Sequence, residues 1–162
     1  MSIHAPCIVV GYDGSPTSRA AVELAARHAA PDGEVIVVNA YSPPADWYGG
    51  PAYSELLQLP QHEGRALLDH VADEVPSLRE VTFETELSGG RPAGVIESVA
   101  AAREADEIVV GTRGFGAARA VLGSTAHELL HLAQRPVTAV PARSLANSAP
   151  APTEPTLEEV PR

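Results

Sequence analysis

The chain has 162 residues, 44% of them hydrophobic, and a formal net charge of −10. This suits one globular domain with a normal core, repels nucleic acid over much of its surface, and contains no apolar run near the roughly 20 residues of a membrane span. The absence of lysine excludes a Walker lysine and Schiff-base chemistry, while the lone Cys7 and the lack of a signal-peptide pattern lead us to expect a cytoplasmic protein.

In chain order, Cys7–Gly11 (CIVVG) reads as a short strand buried on both faces, with Cys7 in the core. The turn Tyr12-Asp13-Gly14-Ser15-Pro16 follows, with Ser15 as helix cap and Pro16 at the first helical position. Helical spacing continues to Ala30, and Pro31-Asp32-Gly33 stops it. Glu34–Tyr41 is the second strand. A loop rich in Pro and Gly runs from Ser42 to Ala52. A helix is predicted from about Tyr53 to Glu74, disturbed early by Pro60. Val81–Leu87 alternates as a strand exposed on one face, near an edge. A helix from about Pro92 to Glu104, a strand at Asp106–Gly111, a helix from about Thr125 to Gln134 and a strand at Pro136–Pro141 complete the domain. The order βαβαβαβαβ implies an α/β fold, with one open five-stranded parallel sheet covered by helices on both faces. Residues 1–143 form the predicted domain. The segment 144–162, with its four prolines and three glutamates, is expected to be a disordered acidic tail.

Chemistry concentrates in the run IVVGTRGFGAARAVLGST, Ile108 to Thr125. A buried strand enters a loop holding Gly111, Gly114, Gly116 and Gly123, and Ser124 and Thr125 open the next helix. Glycines let a backbone approach an anion closely, and the first N–H groups of a helix point at it. In open parallel sheets ligands bind beyond the carboxyl ends of the strands, where strand order reverses. If the first and fourth strands are neighbours, the Asp13 turn and the glycine-rich loop meet over one crevice.

The runs VVGYDGSPTSRAAVELAARHA, VIVVNAY and IVVGTRGFGAARAVLGSTAHELLHLAQRPVTAVP resemble the universal stress protein family, from about Cys7 to Ala142. Its ATP-binding branch carries G-x2-G-x9-G-(S/T). Here Gly111 and Gly114 keep the first spacing, and Gly123 follows after eight residues, one fewer than that pattern. The resemblance implies a strand order of 3-2-1-4-5. It implies ATP, with Mg²⁺, in the crevice. Asp13 would lie beside the adenosine or a phosphate-bound metal ion, with Gly11 and Tyr12 on the same wall. Asn39 and Ala40 would offer backbone groups to adenine, and Val110 and Gly111 would sit under the ribose. Gly114, Gly123, Ser124 and Thr125 would hold the phosphates. It also implies a homodimer through the edge strand Val137–Val140, which the physics of a bare apolar edge supports.

Plainer readings stand beside these. The Asp13 turn could be only a turn and cap. Thr125 and Glu128 match a capping box. Arg113 and Arg119 could offset phosphate charge or be solvated. Tyr41, Trp47, Tyr48 and Tyr53 could form a lid, or anchor their loop onto the following helix. His127-Glu128-Leu129-Leu130-His131 is a literal H-E-x-x-H, which on a helix could bind zinc. No third ligand follows before the tail, and Leu129, Leu130 and Ala133 read as an inward apolar stripe. We therefore expect an ATP-binding regulatory module with slow or no hydrolysis. The rival is an interaction module of the same fold, with a protein partner and no nucleotide.

Overall fold

The valine- and isoleucine-rich runs lie side by side in a five-stranded sheet. The computed structural model describes residues 4–42, 51–112 and 122–141. Its strands are β1 (Cys7–Gly11), β2 (Glu34–Tyr41), β3 (Thr82–Gly89), β4 (Glu107–Gly111) and β5 (Val137–Val140). Every neighbouring pair is parallel, and the order is β3-β2-β1-β4-β5. The helices are α1 (Pro16–Ala29), α2 (Pro51–Asp69), α3 (Val71–Glu74), α4 (Pro92–Ala102) and α5 (Ser124–Leu132), with a 3-10 turn at Pro76–Glu80. The α/β class and the 3-2-1-4-5 order are those expected.

Strand side chains alternate between two cores, as the period of two requires. Val10, Val35, Val37 and Val109 pack with α1 and with Leu68, Val71 and Leu78. On the other face Val9, Ile36, Val38, Ile108 and Val110 pack with α4 and α5. Cys7 is only partly buried against this second core. Burial, followed by the negative charges of Glu34 and Asp106, pushes its thiol up.

Local chemistry sets the boundaries. Ser15 caps α1, its Oγ accepting the Ser18 N–H at 3.2 Å. After α1 the chain turns so closely that a Cβ on Gly33 would lie 2.5 Å from both the Ala29 and Pro6 carbonyl oxygens, so only glycine fits. The predicted helix, α2, begins at Pro51 and continues through Pro60. Packing of its face, Gly64 and Leu68 included, outweighs the roughly 3 kcal/mol a proline costs. The helix breaks instead at His70, whose backbone takes φ −102° and ψ 0° and whose ring N–H donates to the Ala66 carbonyl at 2.8 Å. β3 also starts later and runs on to Gly89, because its ladder with β2 continues to the Tyr41–Gly89 rung. Leu130 corrects the apolar-stripe reading of α5: it is 55% exposed while Leu129 is fully buried. A helix of nine residues buries one narrow stripe, Ala126 with Leu129, and Leu130 stands about 100° away from it. The proposed tail, together with Trp47 and Tyr48, lies outside the described residues.

Two expectations follow. Leu129→Ala should destabilise the fold by about 2–5 kcal/mol in urea unfolding, whereas Leu130→Ala should stay within about 0.5 kcal/mol; similar losses would contradict this burial. The second concerns Asp106, which is held below the usual carboxylate range, chiefly by the Cys7 N–H it accepts at 2.8 Å, with His4 adding to this against the opposing effect of partial burial. A depressed carboxylate stabilises the fold above its unfolded pKa, about 3.9, and that stability is lost as pH falls through the lower folded value. Wild type should therefore be more stable than Asp106→Ala at pH ~7, and the gap should close as pH drops below about 4. A gap independent of pH would refute the assignment.

Candidate functional site

At the carboxyl end of the sheet, over the ends of β1, β2 and β4, lies a cavity of about 450 Å³. That is within the usual range for small-molecule sites, about 300–1,000 Å³. Its floor is made by strand ends: Gly11 with Tyr12 and Asp13 after β1, Val38 with Asn39 and Ala40 in β2, and Val110 with Gly111 in β4. The start of α5 forms one wall through Gly123, Ser124, Thr125 and Ala126. Ser15 and Ser18 of the first turn, and Pro92 and Ile96 of α4, complete it. Ten of the residues singled out from the sequence thus surround one space. Gly114, Arg113, Gly116 and Arg119 lie outside the described residues.

Ser18, Val38, Pro92, Ile96 and Ala126 were missed, and Ser15 was read only as a cap. Topology was the available signal: in a parallel sheet every helix following a strand starts at the same end, so α4 had to begin beside this crevice.

Each element arrives by a local device. Gly14 takes φ +78°, which lets the chain turn sharply after Asp13. Asp13 Oδ1 accepts the Ser15 N–H at 3.0 Å, and the Asp13 N–H donates to Ser18 Oγ at 3.3 Å. The turn reading of Asp13 is therefore right for one carboxylate oxygen. Gly111 brings β4 against α1 so closely that a Cβ would lie 2.5 Å from Thr17 Oγ1 and 2.8 Å from the Thr17 backbone carbon. The glycine-rich loop is closed at its base, where the Gly123 N–H donates to the Thr112 carbonyl at 2.6 Å.

The capping box is not formed. α5 begins at Ser124 with Gly123 as N-cap and no side-chain cap bond. Thr125 lies one position inside the helix, too late to cap it, and Glu128 instead accepts from Arg91 Nη2 at 3.1 Å. The first-turn N–H groups of α5 have no intrahelical acceptors and open at the cavity wall with partial positive charge.

The H-E-x-x-H histidines face each other edge to face, ring centroids 5.0 Å apart, and both are exposed. Among the described residues, no three His, Cys, Asp or Glu side chains come together as a metal site. Among the same residues, no helix is long and apolar enough to cross a membrane.

The sequence profile described as the universal stress protein family matches residues 7–141. A universal stress protein of Mycolicibacterium smegmatis is 34% identical over 140 residues, covering 82% of this chain and 47% of the relative, so the chain spans about half that relative's length. Another, from Thermus aquaticus and encoded in the 3′ region of a QAH/OAS sulfhydrylase, is 37% identical over 136 residues, covering 82% of this chain and 96% of its own. A solved universal stress protein in complex with cAMP is 25% identical, with a TM-score of 0.65, covering 85% of this chain and 98% of its own. On the profile match and these identities, the chain belongs to the universal stress protein family.

Proposed function

We propose that this protein binds an adenine nucleotide, ATP with Mg²⁺, in the cavity at the β1/β4 reversal, and acts as a regulatory module of the stress response. The observation that carries this reading is the convergence of three strand ends and the uncapped start of α5 on one cavity of about 450 Å³. An uncapped helix start favours an anion, and phosphate oxygens supply it. In this reading Ser124, Thr125 and Gly123, together with Gly114, hold the phosphates. Val110 and Gly111 underlie the ribose, Asn39 and Ala40 face adenine with backbone groups, and Gly11, Tyr12 and Asp13 line the nucleoside side. Asp13, exposed at the mouth, is the carboxylate available to a phosphate-bound Mg²⁺. The cAMP complex of a relative supports the nucleotide class. Hydrolysis is slow or absent in this proposal, since the chain has no lysine to clamp a transferring phosphoryl group.

One observation favours a second reading. The glycine-rich loop is one residue short of the ATP-binding pattern, and its base is pinned by the Gly123–Thr112 bond. A loop shortened between fixed ends has less reach around a triphosphate. The alternative is an interaction module that binds a protein and no nucleotide.

The proposal includes a homodimer through β5. Ile108 and Thr112 N–H groups donate to the Pro136 and Val140 carbonyls, both at 2.9 Å. Alternation then turns the N–H and C=O of Val137 and Ala139 outward. The opposite edge, β3, carries Glu84 and Glu86 beside Arg103, charges that discourage pairing.

Titration calorimetry of nucleotide-stripped protein with ATP–Mg²⁺ tests the site. Micromolar binding is expected in wild type, falling at least about tenfold, or ~1.4 kcal/mol, in Asp13→Ala and in Gly114→Val. No binding by folded wild type would select the interaction module. Sedimentation velocity tests the edge: Ala139→Pro removes an outward N–H and spares the β4 ladder, so it should convert dimer to monomer. A dimer that survives this change uses another surface.

A further inference from the structure

Where β1 and β2 part, a side chain makes the last rung between them. The Tyr12 N–H donates to the Val38 carbonyl at 2.8 Å. In a continuing parallel ladder the next bond would run from the N–H of Ala40 to the Tyr12 carbonyl. Asn39 Nδ2 donates to that carbonyl instead, at 2.8 Å. Since a carbonyl only accepts, the amide nitrogen must face it. The amide oxygen meets α2, where a Cβ on Gly64 would lie 2.7 Å from Asn39 Oδ1 and 2.6 Å from Leu87 Cδ1. The carboxamide is therefore held between a helix and a strand end. One turn further along α2, Leu67 covers the turn after Tyr12: a Cβ on Gly14 would lie 2.8 Å from Leu67 Cδ1.

We infer that Asn39, backed by Gly64, is a positioning residue that sets where Asp13 stands in the cavity. By holding the Tyr12 carbonyl it fixes the direction in which the chain leaves β1, and Asp13 is the next residue. The bond from the Ser15 N–H to Asp13 Oδ1 orients the carboxylate within its own turn. The Asn39 bond ties that turn to the neighbouring strand. The Asn39 side chain is spent on Tyr12, so its effect on a ligand passes through Asp13. The ligand part of this assignment rests on the adenine-nucleotide reading above; the placement of the turn does not.

The test is a double-mutant cycle with ATP–Mg²⁺ as probe, using Asn39→Leu, Asp13→Ala, their combination and, separately, Gly64→Ala. Asn39→Leu should weaken binding about five- to tenfold, the effect of one hydrogen bond. Gly64→Ala should weaken it in the same direction with Asn39 still present. Once Asp13 is alanine, Asn39→Leu should cost less than about twofold. Equal losses in both backgrounds, or full affinity in Asn39→Leu, overturn the inference. Amide exchange without nucleotide supplies an independent readout. The Ser15 N–H, held by Asp13, should exchange faster in Asn39→Leu by a larger factor than Val37 in the sheet centre. Equal factors at both sites, or no change at Ser15, also overturn it. A wild type that binds no ATP while Ser15 responds removes the nucleotide reading and leaves the positioning role standing.

Discussion

The structure depends on β1 lying between β2 and β4, buried on both faces. Val9 and Val10 are fully buried, one in each core. The chain leaves β1 in one direction through α1 to β2, and returns on its other side as β4 after passing through α4. Right-handed crossovers then place α1 on one face and α4 on the other. The cavity lies over the carboxyl ends of β1, β2 and β4, beside the start of α5. No residue has to be spent on opening it.

Close approach shapes that space more than attraction does. Gly111 lets β4 rest directly on Thr17 of α1, and Gly11 leaves room for Ile96, whose Cδ1 would lie 2.8 Å from a Cβ there. Both glycines are also cavity residues. Their lack of side chains thus has two effects: it draws helices onto the sheet and it leaves the strand ends bare. A larger residue at Gly111 would meet the backbone of α1, and one at Gly11 would displace the Ile96 side chain.

Charge works at the periphery. Arg135 and Glu97 pair at 2.9 Å, each side chain only 17% exposed, and tie α4 to the approach to β5. Arg91 and Glu128 join the start of α4 to the middle of α5 at 3.1 Å. Arg91 is largely exposed, so this pair contributes little energy. Glu128 is the fifth residue of α5, past the N3 position from which a capping-box glutamate reaches back to the helix start.

The sequence by itself determined the strands and the α/β class, while the residues of the cavity floor, Val38 apart, came from the family resemblance. Continuous short runs such as CIVVG and EVIVVNAY read as strands of a buried sheet, and their alternation with helices implies a parallel sheet whose loops share one end. The Asp13-Gly14-Ser15-Pro16 turn and the Gly123-Ser124-Thr125 start were legible because their chemistry is local. The strand order came from resemblance to the family, since periodicity does not say which strands are neighbours. Tertiary structure alone decided what depends on residues distant in sequence. Packing of its face carried α2 through Pro60, and the narrow contact of α5 left Leu130 outside. The start of α5 at Ser124 put Glu128 at its fifth residue, where it pairs with Arg91, 37 residues away. Pro92 and Ile96 joined the site across the sheet, and Asn39 bonded Tyr12, 27 residues before it. Local pattern reports a residue's own backbone and periodicity, whereas these outcomes were set by partners that only the folded chain brings together.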